Sequence, residues 1–293
     1  MSLPFARLFA CAAVAASALS WAASHPVVLV NALVPRDDCT RYVDLPYGAD
    51  QRQRLDVYVP RQSATHRPPM VVFFYGGSWQ SGRRQDYLFV GEALASRGLV
   101  AVIPDYRLYP QVVFPGYMQD AAMAVSWART HAAAYGADPE RVFLAGHSAG
   151  AQIALLLTTD RSWLAEAGTP SHAVAGAIGL AGPYDFLPLQ DATLERIFPP
   201  AVRDASQPVR FVQGGEPPVF LGVGLRDTTV DPANTERLAA RLRAKGDVVE
   251  VRRYPTLTHA MTVGSLAAPV RAMGPVVATA PVLDDVVAFV NKH

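Results

Sequence analysis

The sequence predicts an α/β fold: a mostly parallel central sheet with helices on both faces and a short lid-like insertion. Three observations carry that expectation. From residue 40 onward, apolar β-rich runs alternate with helical patterns, the order that right-handed strand–helix–strand crossovers produce. Several runs, such as Met70-Val71-Val72-Phe73-Phe74-Tyr75, are apolar without interruption, as expected where helices cover both sheet faces. Gly146-His147-Ser148-Ala149-Gly150 stands between one such run and a helical stretch, where a sharp strand-to-helix turn needs small neighbours.

In chain order, strands are expected at 56–59, 70–75, 99–103, 141–145, 174–180, 219–223 and 248–252. Helices are expected at 86–96, 117–134, 149–157, 232–244 and 282–291. Punctuation supports these bounds. Asp138-Pro139 marks the turn before the strand that leads to Ser148, Asp231-Pro232 opens a helix, and Gly246 stops it after Lys245. The stretch 182–215, rich in Pro and aromatic residues, interrupts the alternation and reads as an insertion over the C-terminal edge of the sheet. A small lid and a plain irregular loop both fit it.

Length and charge narrow the classes. The 293 residues hold 26 Lys and Arg against 25 Asp and Glu, so no charged field points to nucleic acid, and a single domain over 40–293 accommodates the pattern. At the N-terminus, Arg7 precedes an apolar, Ala-rich run over 8–18, with small residues at Ser20, Ala22, Ala23 and Ser24. Residues 1–24 therefore read as a secretory signal peptide cleaved after Ala22 or Ser24, which implies a periplasmic or secreted protein. The run is short for a spanning helix, so no stable membrane span is expected once the signal is removed. Leu8-Phe9-Ala10-Cys11 is faintly similar to a lipid-attachment site, but Cys11 precedes most of the apolar run. Cys39 is then the only cysteine left, so no intramolecular disulfide is expected, and no His motif beside it suggests a catalytic thiol.

A serine at such a turn is presented outward above a helix N-terminus. To react it needs a base, a group that orients the base, and donors for an oxyanion; a serine that merely caps a glycine-rich turn needs none of these. Three histidines follow Ser148. His172 lies in a polar turn and His293 is the last residue, whereas His259 follows the strand at 248–252 through Tyr254-Pro255-Thr256-Leu257-Thr258, where a loop would carry it towards Ser148. The acid is expected from the strand before. Asp227 stands at the end of Val219-Phe220-Leu221-Gly222-Val223-Gly224, where it would accept the second ring N–H of His259. Asp185, after Gly182-Pro183-Tyr184, is the competing acid, and Asp231 is better explained as a helix cap. Oxyanion donors are expected from Ala149 and from the loop Tyr75-Gly76-Gly77-Ser78-Trp79, at the Gly77 and Ser78 amides, unless those glycines serve only a tight turn. Trp79, Tyr184 and Phe186 are candidate pocket residues, with ordinary packing as the other reading.

These residues carry a resemblance. Tyr75-Gly76-Gly77-Ser78-Trp79 resembles the His-Gly-Gly-x-Trp oxyanion motif of the hormone-sensitive-lipase-like and kynurenine-formamidase-like (BD-FAE-like) carboxylesterases of the α/β-hydrolase family. Asp105-Tyr106-Arg107-Leu108-Tyr109-Pro110, with Phe114-Pro115 and Asp120-Ala121, is similar to their Tyr-Arg-Leu segment, and Gly146 to Gly150, Asp227 and His259 match as well. The resemblance spans roughly residues 50–293 and implies an α/β-hydrolase fold. It also implies a serine hydrolase that cleaves small-molecule carboxylic esters of small to medium acyl chain through an acyl-enzyme, with no metal or organic cofactor. The same triad would serve an arylformamidase or other amidase. A non-catalytic binding protein on this fold usually lacks a triad residue, and none is missing. Tyr75 departs from the pattern, standing where these families usually carry His to support the oxyanion loop. A phenol can still donate one hydrogen bond, so the loop is expected to survive, while the subfamily and substrate stay open.

Overall fold

The structure, a computed structural model, describes residues 26–61, 66–170, 173–274 and 276–293. The segment read as a signal peptide, with Cys11, and the candidate His172 lie outside the described residues. Among the described residues, eight strands form one sheet: β1 Cys39–Pro46, β2 Arg54–Pro60, β3 Met70–Phe74, β4 Val100–Pro104, β5 Val142–His147, β6 Val174–Leu180, β7 Val219–Gly224 and β8 Val249–Tyr254. Their spatial order is β1-β2-β4-β3-β5-β6-β7-β8. β2 runs antiparallel to both its neighbours, and the remaining pairs from β4 to β8 are parallel.

All seven expected strands are present, with ends that differ by at most two residues. β1 was not expected. It is an edge strand with Thr40 to Asp44 exposed, so it carries no apolar run and no clean alternation to betray it. Every residue of β3, β5 and β7 is buried, which is why these segments read as continuous apolar runs.

The helices are α1 Pro26–Leu33, α2 Leu88–Ala95, α3 Gly116–His131, α4 Ala149–Thr159, α5 Ser162–Glu166, α6 Ala192–Ile197, α7 Pro208–Phe211, α8 Ala233–Ala244, α9 His259–Gly264, α10 Ala268–Ala272 and α11 Val282–Lys292. The five expected helices correspond to α2, α3, α4, α8 and α11. Most of the others are four to six residues long, too short to show a helical period. α4 is buried throughout and packs on β3, β5 and β6, so its N-terminus is fixed at the middle of the sheet's C-terminal edge. Among the described residues no helix is long and apolar enough to cross a membrane.

The insertion at 182–215 is not an irregular loop. It carries α6 and α7, buries Ile197 and Phe198, and accepts the Phe114 amide at the Ile197 carbonyl (2.9 Å) and the Gln152 side chain at the Ser206 carbonyl (2.8 Å). These bonds clamp it to the start of α3 and to α4.

Candidate active site

Ser148 joins β5 to α4 with φ 56° and ψ −124°, a conformation that costs energy for any residue with a Cβ. Its glycine neighbours are required by space. A Cβ on Gly146 would stand 2.1 Å from the Gly150 carbonyl oxygen, and one on Gly150 would stand 2.0 Å from that of Phe74. The strand and helix thus meet as backbones, and the serine side chain points out over the sheet edge.

The structure brings Ser148, His259 and Asp227 together. Ser148 Oγ lies 2.9 Å from His259 Nε2, and His259 Nδ1 lies 2.8 Å from Asp227 Oδ2. Asp227 Oδ1 accepts the amides of Thr229 and Val230, each at 2.9 Å. Burial alone would raise the Asp227 carboxyl. The His259 hydrogen bond and the two amides outweigh it and hold the group below the usual carboxylate range. His259 is not the loop residue expected: it is the first residue of α9, held next to Asp227 by the Arg226 amide donating to the Leu257 carbonyl (3.0 Å).

The competing candidates go elsewhere. Asp185 pairs with Arg237 Nε at 2.7 Å rather than with His259, His293 packs on Phe289, and Asp231 Oδ1 takes the Ala233 amide at 2.9 Å at the start of α8. Cys39 is buried with its thiol donating to Glu92 Oε2 at 3.1 Å. Burial, aided by Glu92, pushes that thiol up to about 12, so it is protonated and unreactive at neutral pH. Among the described residues no group of three or more His, Cys, Asp or Glu is arranged to hold a metal ion.

The amides of Gly77, Ser78 and Ala149 find no acceptor among the described residues. A Cβ on Gly76 would lie 2.9 Å from Ser148 Cβ, so the loop that bears Gly77 and Ser78 touches the serine. Ser78, Ala149 and Ser148 open on a common cavity of about 420 Å³; Gly77 does not reach its wall. Tyr75 lies beneath the loop, fully buried and stacked between Tyr87 and Tyr106. Its hydroxyl donates to Asp105 Oδ1 and accepts from Arg52 Nη2, both at 2.8 Å, and Arg52 also reaches the Gly82 carbonyl.

Trp79 and Phe186 line the cavity, stacked with ring centroids 5.8 Å apart, and Trp79 Nε1 donates to Gln152 Oε1 at 3.2 Å. Leu187, Pro188, Leu189 and Leu194 extend this apolar wall. Tyr184 is a correction. Its ring turns inward under Gly182, its hydroxyl fills the place of a Cβ on Gly179, and it has no part in the cavity wall. Asn234 causes this turn, because its Oδ1 accepts the amides of both Tyr184 and Asp185. The sequence reading missed Asn234 and Arg237, which border the polar end of the cavity. Their spacing of three on α8 was the available signal.

The profile of the BD-FAE family matches residues 55–242, more than half of the chain. The chain belongs to the BD-FAE family. It is similar to "Probable isoprenylcysteine alpha-carbonyl methylesterase ICMEL1" of Oryza sativa subsp. japonica, 31% identical over an alignment of 236 residues, with 73% of this chain and 55% of that protein covered. Esterase LipC of Mycobacterium tuberculosis is 31% identical over 222 residues, covering 68% and 54% of the two chains. This chain spans about half the length of the curated relatives it matches. The fold is that of solved α/β-hydrolase esterases. "Truncated form of carbohydrate esterase from gut microbiota" superposes with a TM-score of 0.75 at 18% identity, over 88% of this chain and 98% of that one. An esterase of Pyrobaculum calidifontis gives 0.72 at 20% identity, over 93% and 91%.

Proposed function

We propose that this chain is a serine carboxylesterase that cleaves esters of small to medium acyl chain through an acyl-enzyme. The observation that carries the reading is the unbroken relay from Ser148 Oγ through both ring nitrogens of His259 to Asp227. Ser148 attacks the ester carbonyl as His259 Nε2 takes its proton. Asp227 accepts the Nδ1–H, which fixes the tautomer and stabilises the imidazolium. The amides of Ala149 and Ser78, both at the cavity wall beside Ser148, receive the oxyanion. Collapse expels the alcohol, protonated by His259, and water then attacks the acyl-enzyme with His259 again as base. The apolar wall from Trp79 to Leu194 suits an alkyl or aryl group of modest size. The named relatives support ester rather than formamide cleavage, and the signal-like residues 1–24 support an exported, periplasmic or secreted enzyme.

The test is turnover of a nitrophenyl acetate-type ester by the wild type and by Ser148→Ala, with N-formylkynurenine as the competing substrate. Near-complete loss in Ser148→Ala and a higher kcat/KM on the ester are expected. Unchanged ester turnover in the variant, or preference for the formamide, overturns the reading.

A further inference from the structure

His147, the residue before the proposed nucleophile, takes no part in that chemistry yet touches its components. Its side chain is buried at the end of β5, a strand fixed between β3 and β6. Its ring centroid stands 4.7 Å from that of His259 at an interplanar angle of 44°. Its Nε2 lies 3.1 Å from the His259 carbonyl oxygen, across 112 residues of chain. Its Nδ1 has no partner among the described residues and lies 3.1 Å from where a Cβ on Gly76 would stand, facing the oxyanion loop.

The chemistry of these contacts is specific. A carbonyl can only accept, so Nε2 must carry the hydrogen and Nδ1 must be bare. Burial, reinforced by His259, pushes the His147 pKa down to about 3, so no second positive charge opposes the imidazolium that forms on His259 during the reaction. An apolar ring of the same size would fill the space but would leave the His259 carbonyl without this donor. α9 is only six residues long, and its first residue carries the proposed general base.

We propose that His147 is a positioning residue: by donating Nε2–H to the His259 carbonyl, it ties the start of α9 to the rigid centre of the sheet. The His259 ring is thereby held within hydrogen-bond reach of Ser148. This inference rests on the proposed serine chemistry, which Ser148→Ala tests separately.

The experiment compares two substitutions and one spectrum. His147→Phe keeps a ring and loses the donor; His147→Gln places an amide N–H near the Nε2 position. Displaced catalytic geometry can cost up to a hundred-fold, so His147→Phe should lower kcat on the order of ten- to a hundred-fold with KM changed by less than about two-fold. His147→Gln should recover most of that loss. Equal kcat in the two variants and the wild type, or equal losses in both variants, overturns the proposal. Should His147→Phe fail to fold, ¹⁵N spectra of histidine-labelled wild type and Ser148→Ala decide it without turnover. A neutral His147 protonated at Nε2 at pH 6 is expected in both, and an Nδ1–H or charged ring overturns the role even if esterase activity is confirmed.

Discussion

The two sides of Ser148 are held by different forces. On the relay side, Asp227 is satisfied by two backbone amides and one imidazole, and the His259 carbonyl is further tied by His147, so that Asp227 is held by hydrogen bonds with no Lys or Arg among its partners. On the oxyanion side, the loop rests on Tyr75 and is braced from behind by buried charges. Arg84 pairs with buried Asp56 at 2.8 Å and with buried Asp105, which in turn holds Tyr75, and reaches the exposed Asp44 at 2.7 Å. The difference follows from what each side must do. A relay needs directional hydrogen bonds that select one tautomer. An oxyanion hole must keep amides bare, so nothing can hold the loop from its front, and the fixing groups lie behind it, where low dielectric strengthens charged contacts.

The relay side should break in activity first. Asp227→Asn keeps the shape but presents a donor or neutral acceptor to Nδ1, and should lower kcat by roughly ten-thousand-fold with the fold retained. The same variant tests the electrostatics. The folded protein holds the Asp227 carboxyl below its unfolded value, so its stabilisation is present above pH of about 3.9 and is lost as pH falls through the lower folded value. Urea midpoints should therefore favour the wild type over Asp227→Asn at pH 7, and the gap should close under acid conditions. A gap that widens on acidification would contradict the assignment of the shift.

The oxyanion side should break in stability. Arg84→Met leaves Asp56 and Asp105 buried without their main counter-charge, and removing one partner of a buried ion pair costs about 3–5 kcal/mol. Denaturant titration should register that loss. A loss within error would show that water or Arg52, 3.8 Å from Asp105, already compensates these carboxylates.

This contrast also explains what was legible in the sequence. Ser148, Asp227 and His259 follow β5, β7 and β8 in a fixed chain order, one, three and five residues past the strand ends, so the strand order and a five-residue motif were enough to single them out. The brace was not legible, because Arg84 meets Asp44 of β1, Asp56 of β2 and Asp105 across 21 to 40 residues, and no local spacing in the sequence pairs them. Tyr184 misled because an aromatic residue after a strand can face either way, and the deciding group, Asn234, is 50 residues distant. His147 was overlooked because the motif leaves its position free. The edge strand β1 lacked an apolar alternation, and the insertion helices, four to six residues long, were too short to show a helical period.

The finest test of the comparison is Tyr75→Phe, because it removes one hydroxyl and leaves the stacked rings of Tyr87 and Tyr106 in contact with the same aromatic plane. Arg52 keeps the Gly82 and Tyr106 carbonyls as acceptors, and Asp105 keeps the Arg84 amide and guanidinium. Only the hydrogen bonds through the phenol disappear, so the expected cost is about 1–3 kcal/mol, less than that of Arg84→Met. No oxyanion donor is removed. The fall in kcat should therefore stay below the roughly hundred-fold expected for a lost donor, and should come with a small loss of stability. A hundred-fold fall with an unchanged denaturation midpoint would mean that the phenol acts on the oxyanion loop's reactive geometry directly. The division into a directional relay and a charge-braced loop would then have to be redrawn at Tyr75.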